Sequence, residues 1–233
     1  MRIDAGTRRA RRRGVGWRLA KGALAVLAGY YVFCLLLLVA YRFVDPPTTG
    51  VQMQRRVEAL LGREEYTKRR EVVALEALPS QVPRAVVAAE DGRFWDHHGF
   101  DWEEMRIAAE EAGGGVRIRG ASTITQQLMK NLFGFTYRNP IRKLYDLTLT
   151  PASELILGKE RILELYLNQV EWGPGRYGIE AGARHHYGTS ATALSRTQAA
   201  GMAALLPGPL RRTPGNTGNY RAEILRRMGQ RGW

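Results

Sequence analysis

An uncharged apolar segment near the N-terminus sharply limits the folds that this chain can adopt. Residues 22–41 read GALAVLAGYYVFCLLLLVAY and contain no charged side chain. A helix of roughly 20 apolar residues spans the ~30 Å hydrocarbon core of a bilayer. A cleavable signal peptide has a shorter apolar region and a small-residue cleavage site, whereas RFVDPP follows here at residues 42–47. The segment therefore predicts one transmembrane helix.

The charge that flanks this segment predicts its orientation and argues against a buried core helix. Under the positive-inside rule, residues 1–21 stay in the cytoplasm and the chain after Tyr41 lies outside it. Because topology explains the N-terminal arginines, they do not indicate nucleic-acid binding. Against Asp4 alone, residues 1–21 carry these basic residues: Arg2, Arg8, Arg9, Arg11, Arg12, Arg13, Arg18 and Lys21.

The charge of the whole chain indicates the kind of partner to expect. A formal net charge of +13 favours acidic partners such as nucleic acid, anionic lipid or a phosphorylated substrate. Part of this charge lies in the basic tail from Arg211 onwards. For this tail, contact with anionic lipid head groups and a solvated face are equal alternatives.

The cysteine and histidine content excludes several kinds of site. Cys34 is the single cysteine, so an internal disulfide and a cysteine-based metal site are excluded. The histidines form two adjacent pairs, His97 with His98 and His185 with His186, and no H-x-x-x-H spacing occurs. Adjacent histidines rarely chelate one ion together, so no zinc site is predicted.

Glu90 lies where its surroundings are expected to make it more basic. Residues 82–91 predict a helix with Pro83 in its first turn and Glu90 at its C-terminal end. A helix C-terminus carries partial negative charge, and apolar neighbours disfavour the charged form of a carboxyl group. Both effects raise the pKa of Glu90, which suits a general base or acid near neutral pH. On the local pattern alone, a solvated glutamate that closes a helix is an equal alternative.

The remaining segments predict more helices, separated by glycine and proline. Residues 102–113 and 178–188 have helical apolar spacing, and the second helix ends at a glycine. Residues 67–78 fit either a strand or a short helix, and residues 168–178 are expected to form a loop. The glycine-rich residues 113–120 predict either a mobile flap or an ordinary surface loop.

A predicted helix after Ser122, a good N-cap, is unusually rich in amides. Its apolar residues recur at four-residue spacing from Ile124, which leaves the amides on the other faces. Gln126 and Lys130 are i,i+4 neighbours, so an amide and an ammonium point the same way and can hold sugar hydroxyls and a phosphate. The basic residues within 138–143 follow directly, and this clustering favours phosphate recognition over a solvent-exposed surface without a binding role.

Several ordered motifs carry a resemblance to a known family. EDxxFxxHxGxD at residues 90–101 and GASTITQQLxKN at residues 120–131 resemble the first two signature motifs of the peptidoglycan glycosyltransferases, glycosyltransferase family 51. RxxxRK at residues 138–143, KERILELYLN at residues 159–168 and GIEAGA at residues 178–183 resemble the other three. The order and spacing of the motifs carry the resemblance, since no single motif would suffice.

The resemblance covers about residues 79–214 and implies a fold and a domain organisation. The chain is similar to the monofunctional biosynthetic members, because it ends at Trp233 without room for a penicillin-binding transpeptidase domain. The implied fold is mainly α, a lysozyme-like two-lobed glycosyltransferase domain beside the membrane surface, with one N-terminal transmembrane helix. The expected parts are a basic cytoplasmic tail (1–21), a transmembrane helix (22–41), a membrane-proximal linker (42–78) and the glycosyltransferase domain (79–233).

The resemblance also implies the chemistry, which is polymerisation of lipid II, a disaccharide-pentapeptide on a polyprenyl diphosphate. Glu90 aligns with the general base that takes the proton from the acceptor 4-hydroxyl, and the diphosphate lipid departs with inversion. Lys130 and Arg138 align with residues assigned to the diphosphate, and Arg142 and Lys143 add positive field. Charge that develops on a leaving diphosphate needs fixed cations, and water must be excluded to prevent hydrolysis.

The other motif positions imply supporting roles, with one departure from the family pattern. Asp91 and Phe94 are expected to shape the site, and Asp101 is a structural candidate. Asp146 stands where the family usually has a glutamate with a second acidic role, and its side chain reaches about 1.5 Å less far. Mg²⁺ or Mn²⁺ stays open as a cofactor, and no metal ligand is predicted. The expected sugar- or backbone-positioning residues are Ser122, Thr123, Gln126 and Gln127.

Two other classes of function stay open beside glycan polymerisation. A lysozyme-like lytic murein enzyme also uses one glutamate, but it has no need of cations that meet a diphosphate. The second alternative is a noncatalytic, membrane-anchored wall-binding protein. It would be favoured only if the substitution Glu90→Gln left the activity intact. The favoured prediction places a single-pass protein in the bacterial inner membrane, with its catalytic domain in the periplasm. The expected partners are lipid II, the growing glycan strand, membrane lipids and other cell-wall synthesis proteins, but no nucleic acid.

Overall fold

The predicted mainly helical fold is confirmed. A computed structural model describes residues 5–63, 65–113, 122–134, 136 and 140–233, and the described side chains exclude those of residues 5–16, 112 and 140–146. The strands β1 (Arg69–Arg70), β2 (Glu171–Gly173) and β3 (Arg176–Tyr177) form a small sheet in the order β1-β3-β2. The helices are α1 (Ala5–Tyr41), α2 (Gly50–Gly62), α3 (Gln81–Glu90), α4 (Trp102–Gly113), α5 (Ile124–Phe133), α6 (Pro140–Leu157), α7 (Lys159–Gln169), α8 (Ile179–Tyr187), α9 (Arg196–Ala203) and α10 (Gly218–Gln230).

Helix α1 extends well beyond the apolar segment that predicted it. Within the described chain, one stretch is long and apolar enough to cross a membrane, Trp17–Tyr41, with a mean hydropathy of 2.5. The basic segment from Ala5 onwards continues the same helix, which is consistent with the good helix propensity of arginine and alanine. Most side chains of the apolar stretch are exposed, as expected for a helix that faces lipid. Helix α1 thus provides a membrane anchor.

The last turns of α1 pack against the domain. The hydroxyl of Tyr30 donates a hydrogen bond to the backbone oxygen of Phe133, at the end of α5, over 2.7 Å. Leu38 is fully buried within the same core as α5 and α6. Nε of Arg161 donates to the backbone oxygen of Tyr41 over 2.9 Å, which satisfies a carbonyl at the end of α1. Contacts with several helices therefore fix the anchor to the domain.

Two groups of helices surround the core. Helix α5 packs against α2, α6 and α7, while α3 packs against α9 and α10. Ile124 and Leu128 of α5 are fully buried and Leu132 is nearly so, because four-residue spacing places them on one side of the helix. Val86 and Val87 bury the equivalent side of α3. Gln127 of α5 and Glu90 at the C-terminal end of α3 meet between the two groups.

The structure corrects the predicted start of α5. Thr123, and not Ser122, is the N-cap, because the side chain of Thr123 accepts a hydrogen bond from the backbone N–H of Gln126. The side chain of Gln126 in turn accepts from the backbone N–H of Thr123, which completes a capping box. Both residues satisfy polar groups that a helix start would otherwise leave without partners.

The predicted loop at residues 168–178 is wrong in part, because it contains a short hairpin. Strands β2 and β3 pair antiparallel within it, and β1 joins β3 in parallel. Gly175 has a positive φ of 68°, and a Cβ there would lie 2.6 Å from the backbone oxygen of Thr67. The third strand, β1, is distant in the chain, so the local turn residues did not indicate this small sheet. Within residues 67–78, β1 is a strand and Leu75–Ala77 form a 3₁₀ turn.

We expect Leu128→Ala to lower the free energy of unfolding by about 2–5 kcal/mol, because it leaves a cavity beneath α5. Thermal unfolding of the detergent-solubilised protein measures this loss. The control is Leu210→Ala, whose side chain is 44% exposed and should change the stability by at most about 0.5 kcal/mol. Equal losses for the two variants would contradict the central position of α5.

Candidate active site

A cleft of about 850 Å³ collects much of the predicted site. It is bounded by residues of α3, α4, α5 and α10 and by the turn that follows α3. Carboxylates, amides and arginines all contribute to its walls, so the cleft suits a large polar ligand. The predicted site residues that line it are Glu90, Asp91, Ser122, Thr123 and Gln127.

Glu90 is the last residue of α3 and is held by an amide from α5. Nε2 of Gln127 donates a hydrogen bond to Oε2 of Glu90 over 2.8 Å. The hydroxyl of Tyr166 donates to Oε1 of Gln127 over 2.9 Å, which turns the amide N–H₂ group towards Glu90. Tyr166 is buried in the core, so this chain of hydrogen bonds has a rigid base.

Burial raises the pKa of Glu90 above its ordinary value, because the surrounding protein removes water from the carboxylate. The hydrogen bond from Gln127 and the charges of Lys130 and Arg212 act in the opposite direction, while the charge of Asp91 raises the pKa further. The net change has the direction expected from the sequence. A carboxylate with a raised pKa takes up a proton more readily near neutral pH.

Asp91 ties the end of α3 to the start of α5. The backbone N–H of Gly99 donates to Nδ1 of His97 over 3.1 Å, so the other ring nitrogen carries the proton. That nitrogen, Nε2, donates to Oδ1 of Asp91 over 2.9 Å. The backbone N–H of Ile124 donates to Oδ2 of Asp91 over 3.0 Å. Asp91 therefore fixes the position of the neighbouring Glu90 relative to α5.

Asp91, His97 and Asp101 lie close enough to suggest a metal site, with potential ligand atoms within 4.8 Å of one another. Each group, however, already has hydrogen-bond partners. Both carboxylate oxygens of Asp91 and both nitrogens of His97 are engaged, and Asp101 forms an ion pair with Arg93. Asp101 also accepts from the backbone N–H of Glu104 over 2.9 Å at the start of α4. The donor set fits a hydrogen-bonded support better than a metal ion.

Phe94 and Gln126 do not line the cleft; they stabilise the elements that carry its residues. Phe94 is fully buried, and Nζ of Lys159 lies 4.3 Å from the centre of its ring. Gln126 belongs to the capping box of α5.

Thr123 links the start of α5 to the turn before α4, because its hydroxyl donates a hydrogen bond to the backbone oxygen of Gly99 over 2.7 Å.

The basic cluster after α5 falls outside what the structure describes. Arg138 is outside the described residues, as are residues 114–121, which include most of the predicted flap. Arg142, Lys143 and Asp146 lie in α6, but their side chains are outside the described ones. The roles assigned to these residues from the sequence stay predictions.

The C-terminal part of the chain contributes a wall that the sequence did not predict. The hydroxyl of Tyr220 donates to the backbone oxygen of Ala89 over 3.1 Å, and the guanidinium of Arg212 lies 5.3 Å from the Tyr220 ring. Nη1 of Arg227 donates to the backbone oxygen of Ala88 over 3.3 Å. These bonds satisfy carbonyls in the last turn of α3, just before Glu90. The basic composition of the tail was visible in the sequence, but it did not distinguish a cleft wall from a solvated face.

Comparisons with known proteins place these residues within a matched region. The transglycosylase family model matches residues 56–229. A biosynthetic peptidoglycan transglycosylase of Pseudomonas putida is 39% identical over 219 residues, which cover 92% of this chain and 91% of that protein. Proteins of the same name from Pseudomonas fluorescens and Pseudomonas aeruginosa are 41% and 39% identical, over 82% and 85% of this chain and 80% and 86% of their own lengths.

We expect Gln127→Met to raise the pKa of Glu90 further, because it removes a hydrogen bond that stabilises the charged carboxylate. Carbon-13 NMR titration of the side-chain carboxyl of Glu90 measures the change. The control is Gln230→Met on α10, an exposed residue that has no described hydrogen bond to Glu90. A Glu90 titration that Gln127→Met leaves unchanged would show that this amide does not stabilise the carboxylate.

Proposed function

The chain belongs to the transglycosylase family, and we propose that Glu90 is the general base of its reaction. The protein is a peptidoglycan glycosyltransferase that polymerises glycan strands, with lipid II and the growing strand as substrates. The observation that carries the proposal for Glu90 is its position, at the end of α3 in the cleft and held by Gln127. Burial raises its pKa, which suits proton uptake.

The free side of the Glu90 carboxylate is suited to a substrate hydroxyl. Gln127 bonds to Oε2, and no described residue forms a hydrogen bond with Oε1. In the proposed step, Glu90 accepts the proton of the acceptor 4-hydroxyl as that oxygen forms a bond to the anomeric carbon of the donor. The bond from this carbon to the diphosphate oxygen breaks, the diphosphate lipid leaves with its electron pair, and the configuration inverts. Gln127 and Asp91 hold the base in place and do not react.

The proposed diphosphate site lies further along α5. Lys130 is one turn beyond Gln127 on the same side of the helix, and its charge reaches Glu90, whose pKa it lowers. A cation there would stabilise the charge that develops on the leaving diphosphate. From their motif positions alone, we propose that Arg138, Arg142 and Lys143 also stabilise the negative charge of the diphosphate. We propose a second acidic role for Asp146 on the same basis.

The anchor supports a proposal for how the enzyme meets its lipid substrate. Tyr30, within α1, bonds to the end of α5, so the helix that carries Gln127 and Lys130 is attached directly to the anchor. A polyprenyl chain can then remain in the bilayer while its diphosphate reaches the cleft. We propose a bacterial inner-membrane location with a cytoplasmic tail (1–21), a transmembrane helix (22–41), a linker (42–78) and a periplasmic glycosyltransferase domain (79–233). Membrane lipids and other cell-wall synthesis proteins are its proposed partners.

We expect Glu90→Gln to lower the rate of glycan polymerisation by a factor of about 10² or more, because the variant keeps the shape but loses the base. Purified full-length protein and labelled lipid II in detergent provide the assay. The control is Glu110→Gln on α4, an exposed carboxylate outside the cleft. Near-normal polymerisation by Glu90→Gln would refute the proposed base, and release of fragments from finished cell wall would favour a lytic enzyme.

Lys130→Ala is expected to lower kcat by a factor of roughly 10² or more, because the leaving diphosphate loses a fixed cation. Removing this charge also raises the pKa of Glu90, so the rates should be compared across pH and at the plateau above that pKa. Lys130→Arg should restore part of the rate, while Lys68→Ala, far from Glu90 in the sequence and outside the cleft, serves as a control. A normal plateau rate for Lys130→Ala would exclude the diphosphate role.

A further inference from the structure

The cleft has a basic end that the proposed reaction does not use. Arginines from the turn after α3, from α10 and from the residue after α10 line this end, and carboxylates form ion pairs with most of them. Asp101 pairs with Arg93, and Glu223 pairs with both Arg226 and Arg227. The remaining cation there is Arg231, which has no carboxylate partner among the described residues.

Arg231 lies directly over the backbone next to the proposed base. A Cβ at Gly92 would lie 3.0 Å from Nη2 of Arg231, so a side chain there would shift this guanidinium by a few tenths of an ångström. The guanidinium carbon lies 5.4 Å from the centre of the Trp233 ring, which is a cation–π contact. Arg231 is exposed, and it lines the same cleft as Glu90. It is therefore placed to meet a ligand that also reaches Glu90.

Lys130, the proposed diphosphate residue, is not among the residues that line the cleft with Arg231. Thr123, at the start of α5, lines the cleft and bonds to the turn before α4. Lys130 lies about two helical turns, or roughly 10 Å, further along the axis. We therefore assign Lys130 and Arg231 to different anionic groups of the substrate.

The substrate carries a second kind of anion that suits an arginine. The sugar hydroxyls of lipid II are neutral, whereas its pentapeptide ends in a carboxylate. The planar guanidinium binds carboxylates through paired hydrogen bonds. Resting on the proposed function, we propose that Arg231 binds a carboxylate of the stem peptide and so positions the sugar unit whose hydroxyl meets Glu90.

The test compares two substrates with several variants of the full-length enzyme. One substrate is lipid II with its natural pentapeptide, and the other is lipid II whose stem-peptide carboxylates are converted to neutral carboxamides. We expect Arg231→Gln to raise KM for the natural substrate roughly tenfold and to leave KM for the amidated substrate unchanged. Gly92→Ala should act in the same direction but more weakly, because the added methyl group shifts the flexible guanidinium by only a few tenths of an ångström. Arg211→Gln, which alters an exposed arginine outside the cleft, is the control.

The outcomes separate this inference from the proposed function. A rise in KM that depends on the stem-peptide carboxylates supports the role of Arg231, since a merely structural role would affect both substrates equally. If Arg231→Gln changes KM equally for both substrates, or for neither, the role of Arg231 is overturned. The proposed function still stands in that case, provided that the wild-type enzyme polymerises natural lipid II. A wild type that makes no polymer from natural lipid II overturns the proposed function and this inference with it.

Discussion

The desolvation of the Glu90 carboxylate explains how the residues around it are arranged. A carboxylate with little water around it is stable only where hydrogen bonds and nearby cations compensate. Gln127 supplies the hydrogen bond, and Tyr166 fixes the orientation of that amide from the core. Lys130 and Arg212 supply charge from two different parts of the chain. The opposing effects leave a carboxyl group whose pKa is raised and whose position is fixed by hydrogen bonds.

The supports of this carboxylate also hold the helices together. Asp91 accepts hydrogen bonds from His97 and from the start of α5, and so joins two consecutive motifs. Thr123 combines the cap of α5 with a hydrogen bond to the turn that precedes α4. Residues that the family resemblance grouped as site residues therefore differ in kind. Some face the cleft, and others maintain the geometry of those that do.

The membrane anchor and the site are coupled through α5. The anchor reaches the end of this helix at Phe133, while its start and middle contribute Thr123 and Gln127 to the cleft. A short helix of this kind transmits position with little flexibility, because one side of it is fully buried. A substrate with one end in lipid and the other in water can then be met by a site at a fixed distance from the membrane helix.

Local composition and periodicity were enough to predict the apolar anchor, most of the helices and the place of Glu90 at a helix end. They were not enough to predict that Thr123 caps α5, that residues 171–177 form a hairpin, or that Tyr220 and Arg231 lie beside the site. The positions of Tyr220 and Arg231, and the strand that joins the hairpin, depend on groups that are distant in the chain. Strand β1 completes the sheet of the hairpin, and side chains of α10 donate hydrogen bonds to backbone carbonyls in the last turn of α3. Local pattern identifies which side chains are polar, but packing decides which of them face the same cleft.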